Sequence, residues 1–518
     1  MEIAIRLRSF TRYSVVAVAG LLFATVVASA LTLDFRYSLA FITGTLLFAG
    51  AISAIGSLRN LLLYVMAFNL PFTSIEKTFL QTTQTTFVTP GVPIGLGDIC
   101  IFGLYGLWFV VIFITRKERI PKPATLDWWV FAFWCAHAIS VFHATSPGLA
   151  ILEVVRLGRY LMVYFYLAHN LRRQHLKWIT AGLMCAILMQ ASLAVVQYRS
   201  GKLLGIGRTK GASDLDYEQY TVPGFENVSR AEGTTFDSHA LGLFFAMTLP
   251  VPLGLALTHT VLRSRYRIMA GACFILGMPG LVASFTRAGW LAFAGGFVVL
   301  LVCLLRGQYH NSLKRLLPAA PLGVVLLVVL IPQAPKIRQR LMEAPPELIS
   351  ARVETVEMAI GMWKKSPLIG RGANNYMYTL EKEFAIFEGD PYFIPAHNMT
   401  IFVVTELGVV GVAVMIGLGI VAFLKFSKIA RAADPLLQTF GAAFLAMLTA
   451  MFIEGLFDPI YATTVTYYLF WFEMGLGAGL YRLLGELPER TEDRARGDAI
   501  PSSPGDDSKG RLLLAGGQ

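Results

Sequence analysis

Three side chains carry most of the chemistry that this sequence could perform: Arg230, Arg287 and His397. His397 stands in IPAHNMTIFVVTELGVVGV (394–412), where a polar stretch gives way to a long apolar helix. The dipole at a helix N-terminus, and any arginine nearby, disfavour the imidazolium. A neutral imidazole can take a proton from a hydroxyl, although helix capping or packing is the more ordinary role for a single histidine. Arg287 lies in SFTRAGWLAF (284–293), a very short turn between two apolar runs. A guanidinium at that depth is costly and is generally kept for a partner, the alternative being an arginine that snorkels to the interface. Arg230 lies in SRAEGTTFDSHALGLFFAM (229–247), just before another apolar run, with Asp237 and Ser238 as candidate caps. Arginines converging on one point suit a diphosphate. With a neutral histidine beside them they describe a transferase that binds a diphosphate leaving group and activates an acceptor hydroxyl.

Other ionisable residues compete for that role. Arg156 and Arg159 fall within ILEVVRLGRYLMVYF (151–165), an apolar run of spanning length. Glu153 precedes Arg156 by one helical turn and can pair with it. Arg159 has no such local partner, so it is a functional candidate unless a carboxylate on another helix faces it. Glu406, Glu454 and Asp458 are alternative bases. The chain has no G-x-x-x-x-G-K-[ST] loop and no H-E-x-x-H pair, so no nucleotide, metal or other cofactor is expected.

The elements that position these residues follow from composition. Of 518 residues, 55% are hydrophobic and 15% charged, with mean hydropathy +0.59, which indicates a polytopic membrane protein. The fold class expected is all-α, with about fourteen transmembrane helices. The spans are placed at 13–32, 37–56, 58–72, 98–115, 126–143, 149–168, 177–197, 239–258, 266–285, 289–305, 316–333, 398–424, 438–456 and 462–481. The net charge of +11 comes from Lys and Arg in short clusters between apolar runs, the positive-inside pattern, so nucleic acid is not an expected partner. Starting from Arg6, Arg8 and Arg12 in the cytoplasm, every basic turn lands on the same side. The polar segments 73–97, 199–238 and 334–397 then lie outside. The last is a large, partly helical loop in which Ile349, Val353, Val356, Ile360 and Trp363 recur at helical spacing, packed on the domain or facing lipid. Residues 1–481 form the transmembrane domain, and 482–518 read as a disordered cytoplasmic tail. All five cysteines lie in apolar runs, which argues against disulfides.

Three blocks in this order resemble the O-antigen ligase and O-antigen polymerase superfamily of bacterial membrane glycosyltransferases. SFTRAGWLAFAGG resembles its Ser/Thr-Arg-x-x-Trp-Leu segment. SARVETVEMAIGMWKKSPLIGRGANNY (350–376) resembles its arginine-rich amphipathic helix and the Pro-Leu-x-Gly-x-Gly turn after it. AHNMTIFVVTELGVVG resembles its His-Asn motif with a following Glu-x-Gly. The resemblance implies an inner-membrane enzyme whose active site faces the periplasm and whose termini are cytoplasmic. It implies an undecaprenyl-diphosphate-linked glycan as donor, no metal and no nucleotide, and the lipid bilayer and other polysaccharide assembly proteins as partners. Arg230 and Arg287 would hold the diphosphate, and His397, next to Asn398, would act as base or position the acceptor. Where the family often has Pro-Asn, this chain reads Ser238-His239, which makes His239 a second imidazole of interest. A span count above the family's usual dozen favours polymerisation of exopolysaccharide or O-antigen repeat units. The alternatives are ligation of the glycan to lipid A core, and a lipid-linked oligosaccharide flippase lined by Arg156 and Arg159. A purely structural membrane protein is a further class.

Overall fold

Apolar runs of this length fold as helices, because within a bilayer each backbone group must be paired inside its own segment. The computed structural model describes residues 57–486, except 73–76, 81, 83, 85–90, 117–120, 202–220, 223–224, 236, 259–260, 307–337, 339–345, 388–389, 391 and 460–462. The expected spans at 13–32, 37–56 and 316–333, the N-terminal arginines and nearly all of the tail lie outside the described residues.

In chain order the helices are α1 (Leu58–Phe68), α2 (Leu96–Phe109, continued by a π turn at Val110–Ile114), α3 (Thr125–Ser140) and α4 (Pro147–Asn170). There follow α5 (Leu176–Ser200), α6 (Ser238–Thr248), α7 (Pro250–Leu257), α8 (Ser264–Ala283) and α9 (Arg287–Arg306). The last five are α10 (Pro346–Lys365), α11 (Tyr376–Phe384), α12 (Met399–Ile429), α13 (Pro435–Gly455) and α14 (Thr464–Gly485). Two small antiparallel hairpins, β1 (Lys77–Phe79) with β2 (Val92–Ile94) and β3 (Thr221–Val222) with β4 (Phe225–Ser229), decorate the bundle.

Among the described residues, eight helical stretches are long and apolar enough to cross a membrane, while three of the roughly fourteen expected spans lie outside those residues. α1 is apolar but short. α4 and α14 are of spanning length, yet α4 carries Glu153, Arg156 and Arg159 and α14 carries Glu473 and Arg482. These charged helices are interior elements, and they pack closely on each other. α9 packs on α13, where Ala292, Ala446 and Ala450 are fully buried and let the two backbones approach.

Capping fixes where the key helices begin. Asp237 accepts from His239 N at 2.9 Å to cap α6, and Asp434 accepts from Leu436 N and Leu437 N at 3.0 Å to cap α13. Asn398 caps α12 through Ile401 N at 3.1 Å, while its Nδ2 donates to Leu456 O at 3.2 Å just beyond α13. The starts of α6, α9 and α12 and the ends of α8 and α13 therefore gather at one end of the bundle. At the other end Arg173 pairs with Asp434 at 2.5 Å, tying two of the polar turns.

α12 is broken at Gly408, whose φ of 68° and ψ of −169° belong to a region open essentially to glycine alone. The break is filled by residues 366–372. Val409 N donates to Pro367 O at 2.9 Å and Val410 N to Leu368 O at 3.1 Å, while Arg371 N and Gly372 N donate to Thr405 O and Glu406 O, both at 2.9 Å. A Cβ on Gly370 would stand 2.3 Å from the Glu406 backbone, and one on Gly408 would stand 2.2 Å from Leu368 O. The Gly-x-Gly turn and the Glu-x-Gly in α12 are thus two halves of one joint.

The expected helix in the outer loop is present as α10, but the stripe it buries is offset from the apolar one. Thr355, Ala359 and Met362 are fully buried, whereas Val353 and Ile360 are exposed. α10 packs on α12, and the joint at 366–372 follows directly after it.

Candidate functional site at the helix ends

The turn between α8 and α9 is the floor of the site. Phe285 sits there with φ of 50°, and Arg287 is the first residue of α9, not part of the turn itself. Arg230 lies alongside: Ala231 N donates to Ala283 O at 3.0 Å, and the Arg230 Nε reaches Ser284 O at 3.4 Å. The two arginines named from sequence therefore flank one short segment. Arg230 is buried and Arg287 half-buried.

Arg352, near the start of α10, joins them. It is exposed, and it feels the charges of both Arg287 and Asp458. Among the described residues neither Arg287 nor Arg352 has a carboxylate within ion-pair distance. Two guanidiniums at helix ends, neither of them held in an ion pair, make an arrangement that an anionic ligand stabilises.

His397 closes the site from the α12 side. Its Nδ1 lies 3.0 Å from Pro395 O, and since a carbonyl only accepts, Nδ1 carries the hydrogen in the neutral ring. Nε2 is left with its lone pair. Burial, reinforced by the Arg352 guanidinium and opposed by the Pro395 bond, pulls the imidazole from its usual 6.5 to about 4. His397 is therefore neutral at physiological pH, as its helix-end position suggests.

The backbone around His397 is held by Tyr376. Its hydroxyl donates to Thr355 O at 3.2 Å and accepts from Ala396 N at 3.1 Å, so one fully buried ring ties α10 to the residue before His397. Tyr376 is itself placed by Glu406, whose carboxylate accepts from Asn374 N at 2.9 Å and from Tyr376 N at 3.0 Å. Both Glu406 oxygens thus serve the N-terminus of α11, which makes this residue a positioning group. Asn398, through its caps on α12 and Leu456, plays a similar part.

His239 lies at the same end. Its Nδ1 is 3.6 Å from Asp458 Oδ2 and 4.0 Å from Glu454 Oε1. Burial and the neighbouring Asp237 push the Asp458 carboxyl up to about 7, against the pull of Arg352 and Arg230. Asp237 is raised as well, by burial, with the His239 amide and Arg230 opposing.

Arg156 and Arg159 have a different setting. Arg156 pairs with Glu153 on its own helix. Arg159 meets Asp98 of α2 at 2.9 Å and donates to Pro93 O. The carboxylate on another helix that the sequence reading left open is thus Asp98.

Residues 272–416 match the family model described as O-antigen ligase. The match makes this segment similar to the O-antigen ligase family. The matched segment contains Arg287, Arg352, His397, Asn398 and Glu406, whereas Arg230, His239, Glu454 and Asp458 lie outside it. No curated protein matches the chain.

Arg352 is the member of the site that sequence reasoning missed. It stands in the arginine-rich helix of the second motif block, where the apolar spacing drew the attention. A basic residue in a segment expected to face outward, in a chain whose other basic clusters follow the positive-inside pattern, is the signal that singled out Arg287, and it applies equally to Arg352.

Proposed function

We propose that this protein is a glycosyltransferase of the bacterial inner membrane that takes glycan from an undecaprenyl diphosphate carrier at the periplasmic face and polymerises exopolysaccharide or O-antigen repeat units. The observation that carries this reading is the placement of His397. Its Nδ1 hydrogen is committed to Pro395 O, its Nε2 keeps a lone pair, and Arg352 lies close enough to depress its basicity.

In this reading the diphosphate occupies the region of Arg287, Arg352 and Arg230. His397 Nε2 takes the proton of the acceptor hydroxyl as its oxygen attacks the anomeric carbon. The bond from that carbon to the diphosphate oxygen breaks, and the electron pair stays on the diphosphate. Guanidiniums already in place stabilise the charge that appears there, which is worth most in a site partly shielded from water. The proton leaves His397 with the next exchange of substrate. Tyr376, Glu406 and Asn398 hold the base without touching the reacting atoms.

Ligation to lipid A core uses the same chemistry with another acceptor and remains the second reading, favoured by the family description of residues 272–416. The flippase reading is weakened by the buried carboxylates facing Arg156 and Arg159, which spend those arginines on structure.

The test supplies purified protein in detergent with a polyprenyl-diphosphate-linked repeat unit as sole substrate. A ladder of longer glycans that disappears in His397→Ala is the expected result. No ladder, followed by transfer once lipid A core is added, would replace polymerisation by ligation. Absence of both would overturn the transferase.

A further inference from the structure

The side chains of His239, Glu454 and Asp458 form a compact group that the transfer chemistry leaves unused. One ligand atom from each lies within 4.8 Å of the others. They come from two separate elements: His239 is in the first turn of α6, whereas Glu454 and Asp458 flank the end of α13. Around an ion bound at about 2.1 Å in tetrahedral geometry, ligand atoms stand roughly 3.4 Å apart. The His239 Nδ1 separations of 3.6 Å and 4.0 Å are close to that spacing.

Glu454 supplies the independent sign of a ligand. Its side chain is 2% exposed, and neither carboxylate oxygen has a hydrogen-bond partner among the described residues. A buried carboxylate without donors is expensive, and this one also feels the carboxylates of Asp458 and Asp237. Arg230 and Arg352 act on Asp458, yet no guanidinium is within ion-pair distance of Glu454 among the described residues. A cation seated between the three side chains would satisfy the orphaned oxygens and relieve the repulsion together.

We propose that His239, Glu454 and Asp458 bind a divalent first-row cation, of the Zn2+ or Mn2+ type, which latches the start of α6 to the end of α13. One imidazole and two carboxylates suit such ions better than Ca2+, which takes oxygen ligands throughout. The site goes beyond the transfer reaction and does not depend on it. All three ligands lie outside residues 272–416, the segment that matches the O-antigen ligase model. The cation sits next to Asp237, whose carboxylate caps α6 and feels Arg230, so the latch also braces the Arg230 wall of the arginine cluster.

The test uses full-length protein without a polyhistidine tag, stripped with chelator and dialysed against Zn2+ or Mn2+ in turn. Metal content and thermal unfolding are then measured with no substrate present. Wild type should retain roughly one ion per chain and unfold several degrees higher with the ion than in chelator. His239→Asn and Asp458→Asn should bind at least about tenfold more weakly and lose the thermal shift. His239→Asn should also melt with wild type in chelator, which separates loss of the ion from loss of the fold. A wild type that takes up no ion, or an equal uptake and shift in both variants, would overturn the proposal. Neither result depends on whether the protein makes a glycan ladder.

Discussion

Lowering the pH from 7 to 5 should barely slow the reaction if His397 is its base. An imidazole at an ordinary 6.5 is about 76% neutral at pH 7 and about 3% neutral at pH 5, a loss of roughly 25-fold in usable base. Held at about 4 by burial and Arg352, His397 stays about 91% neutral at pH 5, so the loss is only about a tenth. The quantity to measure is kcat/KM for extension of a lipid-linked repeat unit between pH 4 and 8, since it reports the unliganded enzyme. With no cation at the His239 group, Asp458 titrates inside this window, near 7, and faces Arg352. Its protonation leaves Arg352 less compensated and so depresses His397 further. The series is therefore run on Asp458→Asn as well. Arg352→Ala should move the acid limb up toward 6.5, and Arg352→Lys should leave it low. A fall near 25-fold between pH 7 and 5 in both wild type and Asp458→Asn would refute the reasoning. The same displacement bears on stability: the unfolded chain takes its proton near 6.5 and the folded one near 4. The contribution of a neutral His397 is then complete above 6.5 and lost as the pH falls through that window.

Two further substitutions test the scaffold. Asp98→Ala removes the carboxylate that faces buried Arg159 and should cost about 3–5 kcal/mol, read as a lower unfolding temperature in detergent. Combining it with Arg159→Met should recover much of that loss, and failure to do so would mean that Arg159 has a role beyond this pair. Gly408→Ala places a methyl 2.2 Å from Leu368 O in a backbone conformation that itself costs about 1–3 kcal/mol for alanine. It should abolish activity and sharply reduce the yield of folded protein, and a variant that folds normally would show that the joint can slide.

Membrane character, the helical fold class and much of the site were legible in the residues themselves. Burying 18 or more apolar residues without exposing backbone leaves few options besides a helix, so runs such as Pro435–Gly455 announce themselves. Arg287 and His397 stood out because a charge or an imidazole at the edge of an apolar run is costly, and Asp237 read as a cap from its type and place. Tertiary structure decided what periodicity cannot encode. The partner of Arg159 is 61 residues away on another helix, and only packing brings Asp98 to it. Glu406 looked like a spare base, and its environment turns it into an anchor for the α11 backbone. The face that α10 buries is the one that packs on α12, and it does not follow its own apolar spacing. Arg352 and the group of His239, Glu454 and Asp458 assemble only because helices running in alternate directions return their ends to one place. The local chain determines which segments are helical and which ends are polar, since backbone pairing and burial are short-range demands. Which polar ends share a charge, a proton or an ion depends on long-range packing.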